Sequence, residues 1–446
     1  MIFLALLLLG ACAIPVVSFA VRRKGALLAI FSIEFAAYYA IPILILHRVH
    51  IGEFPGRDLP HPLVCMALEL ALVGFAGICL GYFLIPENGS LIPRFKMAWS
   101  NPGVIRIAAV AMCVVGVAAT FLLNARLQSG NSSQFVVFAA DLAMYGIALL
   151  FTLQLWHRLN LLYLLALWGV LLPARLLVGL SSGATGEVLI VGLTMLVLYS
   201  EVRGRLWWSA ILAGAIGVAV LRPLMSPFRG LTWHGGAAAG VSTAQKLKIF
   251  SGVAEGAAEG RFGSYDTLIQ FAANRLCVTC TFADVLRQTP DIVPYWDGAT
   301  YYPILFKPIP RLLWPGKPQE KTGQDFGHRY GYLQLNDHET TYNLPQTVEL
   351  YANFGVIGVV IGSLLLGIFY RVAELMFFHP GSGVGAVALG AVVLTGLLEI
   401  ESGASGVLGG YLWALVAVGL VNIAVYGAEF LSDSAVTTAA PEWPRR

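Results

Sequence analysis

Residues 308–358 read PIPRLLWPGKPQEKTGQDFGHRYGYLQLNDHETTYNLPQTVELYANFGVIG. The stretch is polar, aromatic and rich in Pro, Gly, Arg and His, and its last residues run straight into an apolar segment. Apolar sequence also dominates on its N-terminal side, up to about residue 223. The chain therefore reads as a polar insert held at both ends by membrane-spanning sequence. Composition agrees: 57% of the 446 residues are hydrophobic and 12% are charged, against about 25% charged in a soluble globular domain. No soluble core could bury so much apolar surface. The expected class is an all-α polytopic membrane protein with one large outer insert containing short helices.

Working outward, apolar runs of about 20 residues, the length of a membrane helix, recur along the chain. Eleven segments are expected, at 2–21, 26–46, 63–85, 105–123, 135–156, 161–180, 186–200, 207–223, 352–378, 384–400 and 406–430. They divide the chain into an N-terminal bundle (1–223, eight helices), the insert (224–351), a C-terminal bundle (352–430, three helices) and a disordered tail (431–446). The first apolar run has no basic residue before it, and Arg22-Arg23-Lys24 follows it. That pattern predicts a retained first helix with its N-terminus outside. Alternate loops then carry Arg94, Lys96, Arg106, Arg158, Arg203, Arg205 and Arg371, whereas the short loops between them carry only Arg48, Arg57 and Arg126. The asymmetry predicts an outer, periplasmic insert and a cytoplasmic C-terminus in a bacterial inner membrane.

The insert is nearly neutral, with eleven basic and eleven acidic residues. Residues 264–290 have apolar positions at helical spacing and predict one amphipathic helix. Residues 234–262, rich in Gly, Ala and Ser, predict a mobile stretch. Four cysteines, Cys12, Cys65, Cys79 and Cys113, lie in apolar runs and read as small core residues. Cys277 and Cys280 form a C-x-x-C pair with no second ligand pair after it. The pair reads as two small residues on a helix face, or as a local disulfide on an oxidising side of the membrane.

Arginine at membrane depth costs about 2.5–3.5 kcal/mol and so faces a cavity or a partner. Arg175 lies inside the sixth run and Arg222 ends the eighth. Each reads either as a phosphate clamp, through its planar fork of donors, or as a side chain reaching to the interface. Glu187 is placed to pair with Arg175. In the insert, Arg229, Arg275, Arg311, Arg329 and Lys317 supply cations. Trp314, Tyr342 and Asn343 suit a sugar, by ring packing on its C–H face and by hydrogen bonds to its hydroxyls. Transfer of a glycosyl group needs a base for the acceptor hydroxyl and a cation for the leaving phosphate. His338 is the first candidate base because its ordinary pKa lies near neutrality; Glu339 and Glu349 follow. Glu34, Glu69, Asp141, Glu399 and Glu401 are further acids within or beside apolar runs. They would line the same cavity or a proton path.

The runs IPRLLWPGKP, Thr340-Thr341-Tyr342-Asn343 and VELYANFGVIGVVIGSLLLG resemble bacterial oligosaccharide repeat-unit polymerases of the Wzy type. RLCVTCTFADVLRQTP and the Gly-rich turn after Arg175 are also similar, and the resemblance covers roughly residues 170–370. It implies a GT-C membrane glycosyltransferase that passes a growing glycan from undecaprenyl diphosphate to the next lipid-linked unit. It also implies no metal or other cofactor and no nucleic-acid partner, and it leaves open work alone or beside a flippase and a chain-length regulator. Arg275, Arg311 and Arg329, with Arg175 and Arg222 at the membrane edge, would handle the diphosphate. An O-antigen-ligase-like transferase, a flippase for lipid-linked sugars and a scaffold subunit are the competing readings. The flippase reading lacks the internal repeat common in transporters.

Overall fold

The computed structural model describes residues 1–46, 49, 58–87, 92–97, 99–127, 134–183, 185–233, 241–261, 264–307, 309, 313–338 and 340–433. Its elements are helices: α1 (Ile2–Arg22), α2 (Ala26–Ile45), α3 (His61–Leu84), α4 (Pro102–Leu127), α5 (Gln134–Leu155), α6 (Leu161–Ser181), α7 (Thr185–Arg203), α8 (Trp208–Thr232), α9 (Thr243–Ala258), α10 (Tyr265–Leu276), α11 (Val278–Gln288), α12 (Thr322–Arg329), α13 (Gln346–Phe377), α14 (Val384–Thr395) and α15 (Ala404–Asp433). Ten of these, among the described residues, are long and apolar enough to cross a membrane. The protein is an all-α, multi-pass membrane protein.

The expected span at 384–400 is shorter than the sequence suggested. α14 stops at Thr395, a single 3-10 turn covers Gly396–Leu398, and helix resumes only at Ala404. Twelve residues rise about 18 Å, well short of the ~30 Å hydrocarbon layer. Gly396, Glu399, Glu401, Ser402 and Gly403 interrupt the apolar pattern, and Ser402 turns back to bond the Glu399 carboxylate at 2.9 Å. α14 is buried on nearly every face, as a helix apolar all round must be.

Two further expectations change. The amphipathic stretch 264–290 is two helices, α10 and α11, broken at Cys277, whose backbone is non-helical (φ −72°, ψ 85°). The stretch expected to be mobile contains α9. Ser242 and Gln245 close a reciprocal capping box at its start, which satisfies two otherwise orphan N–H groups. Val253, with Ile249 and Phe250 beside it, packs on Leu224, Met225 and Phe228 of α8. Residues 234–240 and 262–263 of that stretch, and 434–446 of the tail, lie outside the described residues.

The chain forms two compact units. The first comprises residues 1–92, 270–375 and 396–414. Its seam is made by small residues: Gly74, Gly77 and Gly81 of α3 meet Val359, Ser363 and Leu364 of α13, and Gly367 meets the Ile78 carbonyl. With no Cβ between them, the two backbones approach closely, which is the usual substitute for hydrophobic drive inside lipid. At the far end of α13 the Arg371 guanidinium bonds Glu374 at 2.6 Å and Tyr82 at 3.2 Å, and pairs with Glu87 at 3.4 Å. Glu87 also takes Lys24 at 2.7 Å.

The second unit comprises residues 93–269, 376–395 and 415–446. Its seam is similar: Gly116 of α4 abuts Ala143 of α5, and Gly146 abuts Ala109 and Cys113. Glu429 accepts from the backbone N–H groups of Ser100 (2.8 Å) and Asn101 (2.7 Å) at the start of α4, where a carboxylate also complements the helix dipole. The sequence expected to form one insert is thus shared, with 224–269 in the second unit and 270–351 in the first.

Candidate functional site

The site in the first unit is set by a chain reversal inside α13. Phe354 (φ −138°, ψ 15°) and Gly355 (φ 62°, ψ −149°) leave helical geometry, so 346–353 and 356–377 are separate arms. Gly355 occupies backbone space open essentially to glycine alone. A Cβ there would also sit 2.9 Å from the Tyr295 hydroxyl oxygen. The arms run back along one another. Gly358 faces the Leu350 carbonyl and Gly362 faces the Leu350 side chain. Tyr370 donates to the Gln346 side-chain oxygen at 2.6 Å.

The insert staples this reversal. Buried Asn353 accepts from the Gly298 N–H at 2.9 Å and donates to the Thr300 hydroxyl at 2.9 Å. The Trp296 N–H donates to the Ala352 carbonyl at 3.0 Å, and Tyr301 stacks on Phe354. At the other end of the short arm, Gln346 donates through its backbone to the Ile400 carbonyl and through its side chain to the Glu399 carbonyl, at 3.4 and 3.2 Å. The run Tyr342–Gln346 therefore meets the broken segment 396–403. Irregular backbone at membrane depth survives only inside protein or along a cavity, and both segments satisfy their polar groups on each other.

Arg275 lies in the last turn of α10, where a cation opposes the helix dipole favourably. Its guanidinium is 4.0 Å from Glu401 and 6.0 Å from the centre of the Tyr342 ring. Arg275 keeps a third of its side chain exposed and Glu401 a fifth, so both remain reachable. Tyr342 stacks at 4.4 Å on Tyr332. The Tyr332 hydroxyl donates at 2.8 Å to buried Asp284, which also holds Arg287 and Gln288. Burial, and then the Asp284 charge, push the Tyr332 phenol well above its ordinary range. Burial raises the Tyr342 phenol too, with Arg275 pulling the other way. Glu34 of α2 is within electrostatic reach of Glu399 and Glu401.

The turn after Arg275 is fixed twice. Cys277 and Cys280 are joined by a disulfide, the second of the two readings the sequence left open. Thr279 between them donates at 2.7 Å to the Tyr39 carbonyl. Tyr39 belongs to a π-helical turn of α2, Ala36–Ala40. Such turns displace carbonyls from the helical ladder, and the insert uses this one as its anchor.

Of the candidate residues, the structure brings Arg275 and Tyr342 together, with Asn343 exposed beside Tyr342. Others are committed to structural contacts. Glu349 is fully buried and accepts from the Ser405 hydroxyl at 2.5 Å and the Ser405 N–H at 3.0 Å, capping α15. Lys317 donates to the Lys307 and Ile309 carbonyls at 3.0 and 2.9 Å. Arg329 donates to the Pro294 carbonyl at 2.6 Å and lies over Trp296. Trp314 is exposed and meets Phe306 edge-on. His338 is exposed with its ring 5.9 Å from that of His328, whose Nε2 contacts the Asp337 carbonyl at 2.7 Å. Arg311 and Glu339 lie outside the described residues.

Three candidates belong to the second unit. Arg175 is buried and ion-paired with Glu187. Arg229 donates to the Gly183 carbonyl at 2.8 Å and lies over Trp233. Arg222 is half-buried on the same helix. Among the described residues no three His, Cys, Asp or Glu side chains converge to hold a metal ion. Sequence reading treated Glu401 as one acid among five, took Tyr332 only as one aromatic face among several in the insert, and missed Asp284. The signal available was E-I-E-S-G inside an apolar run.

Residues 61–405 match the model of a domain of unknown function, DUF8712. The chain belongs to that family. No curated protein and no solved structure matches the chain. The matched region of this DUF8712 member takes in α3, α10, α11, the whole of α13 and the 396–403 segment, so the site residues named above fall within it, apart from Glu34 and Tyr39 of α2.

Proposed function

We propose that this DUF8712 protein is a membrane glycosyltransferase of the Wzy type. It would transfer a growing glycan from undecaprenyl diphosphate to the next lipid-linked repeat unit at the periplasmic face of the inner membrane. One observation carries the reading: the reversal at Gly355 takes Tyr342–Gln346 of a hydrophilic insert back alongside Tyr370, within a membrane-spanning helix, and Arg275 sits beside Tyr342. A lipid-linked donor needs that combination, because its tails stay in the bilayer while its diphosphate and sugar need polar partners.

In this reading the acceptor hydroxyl oxygen attacks the anomeric carbon as the bond from that carbon to the diphosphate oxygen breaks. The diphosphate leaves with the bonding electron pair, and Arg275 stabilises its charge. The hydroxyl proton passes to Glu401, the carboxylate within 4.0 Å of Arg275. Tyr342 offers a ring face to the sugar. His338 and Glu339, on the insert, are the alternative bases. The ligase reading uses the same site with a different acceptor.

The broken helices give a second reading. Short arms such as 346–353 and α14, with irregular backbone between helices, also occur in transporters of lipid-linked or charged cargo. One experiment separates the two. Purified protein is given lipid-diphosphate-linked repeat units, with EDTA in one arm and Arg275→Ala and Glu401→Gln in others. Glycan ladders that persist with EDTA and vanish in both variants support the transferase. Movement of the lipid-linked sugar across liposomes without ladders supports the transporter and sinks the enzyme.

A further inference from the structure

The second unit contains a cleft that the proposed chemistry does not use. It has a volume of about 430 Å³ and lies where α5 ends, α6 begins and α7 ends. Three leucines, Leu155, Leu159 and Leu164, line one part, and Gln154, His157 and Arg203 line the other. None of these six is a carboxylate.

The polar part presents donors. Trp168 donates its indole N–H to the Gln154 side-chain oxygen at 2.8 Å, which leaves the amide NH2 to face outward. Arg203 lies 3.3 Å from His157 Nε2. Arginine is donor-only, so Nε2 accepts and the His157 Nδ1 carries its hydrogen. His157 is held there by a left-handed backbone (φ 57°). The cleft is thus lined on its polar part by a guanidinium, an amide and an imidazole, with no carboxylate among them. Such a set fits an anion, and an Arg fork suits phosphate oxygens best.

Depth and charge indicate which phosphate. Trp207, four residues past Arg203, stacks on Tyr199 at 4.9 Å, and Trp168 borders the cleft. Aromatic residues of this kind mark the headgroup level of a membrane. Arg158 lies in the adjoining loop and Arg106 in the first turns of α4, and Arg106 is bonded to the Arg158 carbonyl. Basic pockets between membrane helices bind anionic headgroups. The apolar part of the cleft would take the start of an acyl chain. From the polar lining that holds Arg203 and no carboxylate, the leucines beside it and the interfacial tryptophans, we infer that this cleft binds the phosphodiester headgroup of an anionic phospholipid.

The test uses the full-length protein, delipidated in detergent, and native mass spectrometry with phosphatidylglycerol, phosphatidylcholine or inorganic phosphate. The expected result is a phosphatidylglycerol adduct that falls about five- to tenfold in Arg203→Gln, as for one lost charge-assisted contact, and is unchanged in Arg205→Gln. Gln154→Leu, which removes a neutral donor together with the acceptor of the Trp168 indole, and Leu164→Trp, which fills the apolar part, should each weaken it. These two keep the test open if Arg203→Gln fails to fold by circular dichroism. Equal binding of phosphatidylcholine, displacement by inorganic phosphate, or an adduct indifferent to all three cleft substitutions overturns the inference.

Discussion

Tyr370 donates a 2.6 Å hydrogen bond to the side chain of Gln346, twenty-four residues earlier in what the backbone pattern presents as one helix. In a straight helix those residues would stand about 36 Å apart. The bond is therefore the signature of the reversal at Gly355. It also fixes where the polar run 342–346 comes to rest. Tyr370→Phe leaves the Gln346 oxygen buried without this donor, which costs about 1–3 kcal/mol. Unfolding in detergent should show that loss, and Tyr370→Phe combined with Gln346→Leu should recover part of it. A purely additive double variant would show that the two side chains do not interact.

Gly355→Ala should destabilise the fold by about 1–3 kcal/mol, because an L-residue pays for that backbone region and the new methyl meets Tyr295. Gly419→Ala, with nothing within 4 Å of its added Cβ, should be neutral or slightly stabilising, since alanine favours helix. Thermal melts of the two variants side by side make the comparison.

Glu349 and Ser405 should behave as a coupled pair. Glu349→Ala removes the acceptor from the start of α15, and Ser405→Ala removes one of its donors. Their coupling in a double-mutant cycle should be about 0.5–3 kcal/mol. A coupling near zero would remove Glu349 as the cap and return it to the list of candidate substrate ligands.

Arg275→Ala should leave stability within about 1 kcal/mol, because its pair with Glu401 is partly exposed and such pairs are weak. Glycan transfer should fall about 10²–10³-fold, the usual effect of removing one charge-stabilising donor. Loss of activity together with loss of folded protein would assign Arg275 a structural role.

The Tyr332 phenol is raised well above its ordinary value of 10.0. The unfolded chain ionises that phenol first as pH rises, so its contribution to stability is complete below pH 10 and drains away above it. Asp284→Asn removes the charge that helps to raise it. Absorbance titration should show one tyrosine ionising earlier in that variant, and an unchanged curve would refute the Asp284–Tyr332 link.

Cysteine accessibility checks the turn beside Arg275. Alkylation in denaturant without reductant should label four thiols, those of Cys12, Cys65, Cys79 and Cys113, and reduction should expose the other two.

The sequence by itself determined that this is a helical, multi-pass membrane protein, because apolar runs of span length are a local property that lipid reads directly. It also marked Arg275 and Tyr342, since charged and aromatic residues in a polar insert stand out in composition. It did not show the breaks at N-F-G and at E-I-E-S-G, which fell within or at the end of expected spans. Hydropathy is blind to direction: it placed 346–351 in the polar insert and began a span at 352, yet 346–353 is a helical arm that the positive φ of Gly355 turns back on 356–377. The partners of Glu349, Lys317 and Arg329 were equally hidden, because a charged side chain is satisfied by groups tens or hundreds of atoms away in the chain. Only the tertiary structure decided which ionic groups hold the fold and which, beside the reversal, stay open to a ligand. Hydrogen-bond satisfaction in a medium without water is settled between segments, not within them.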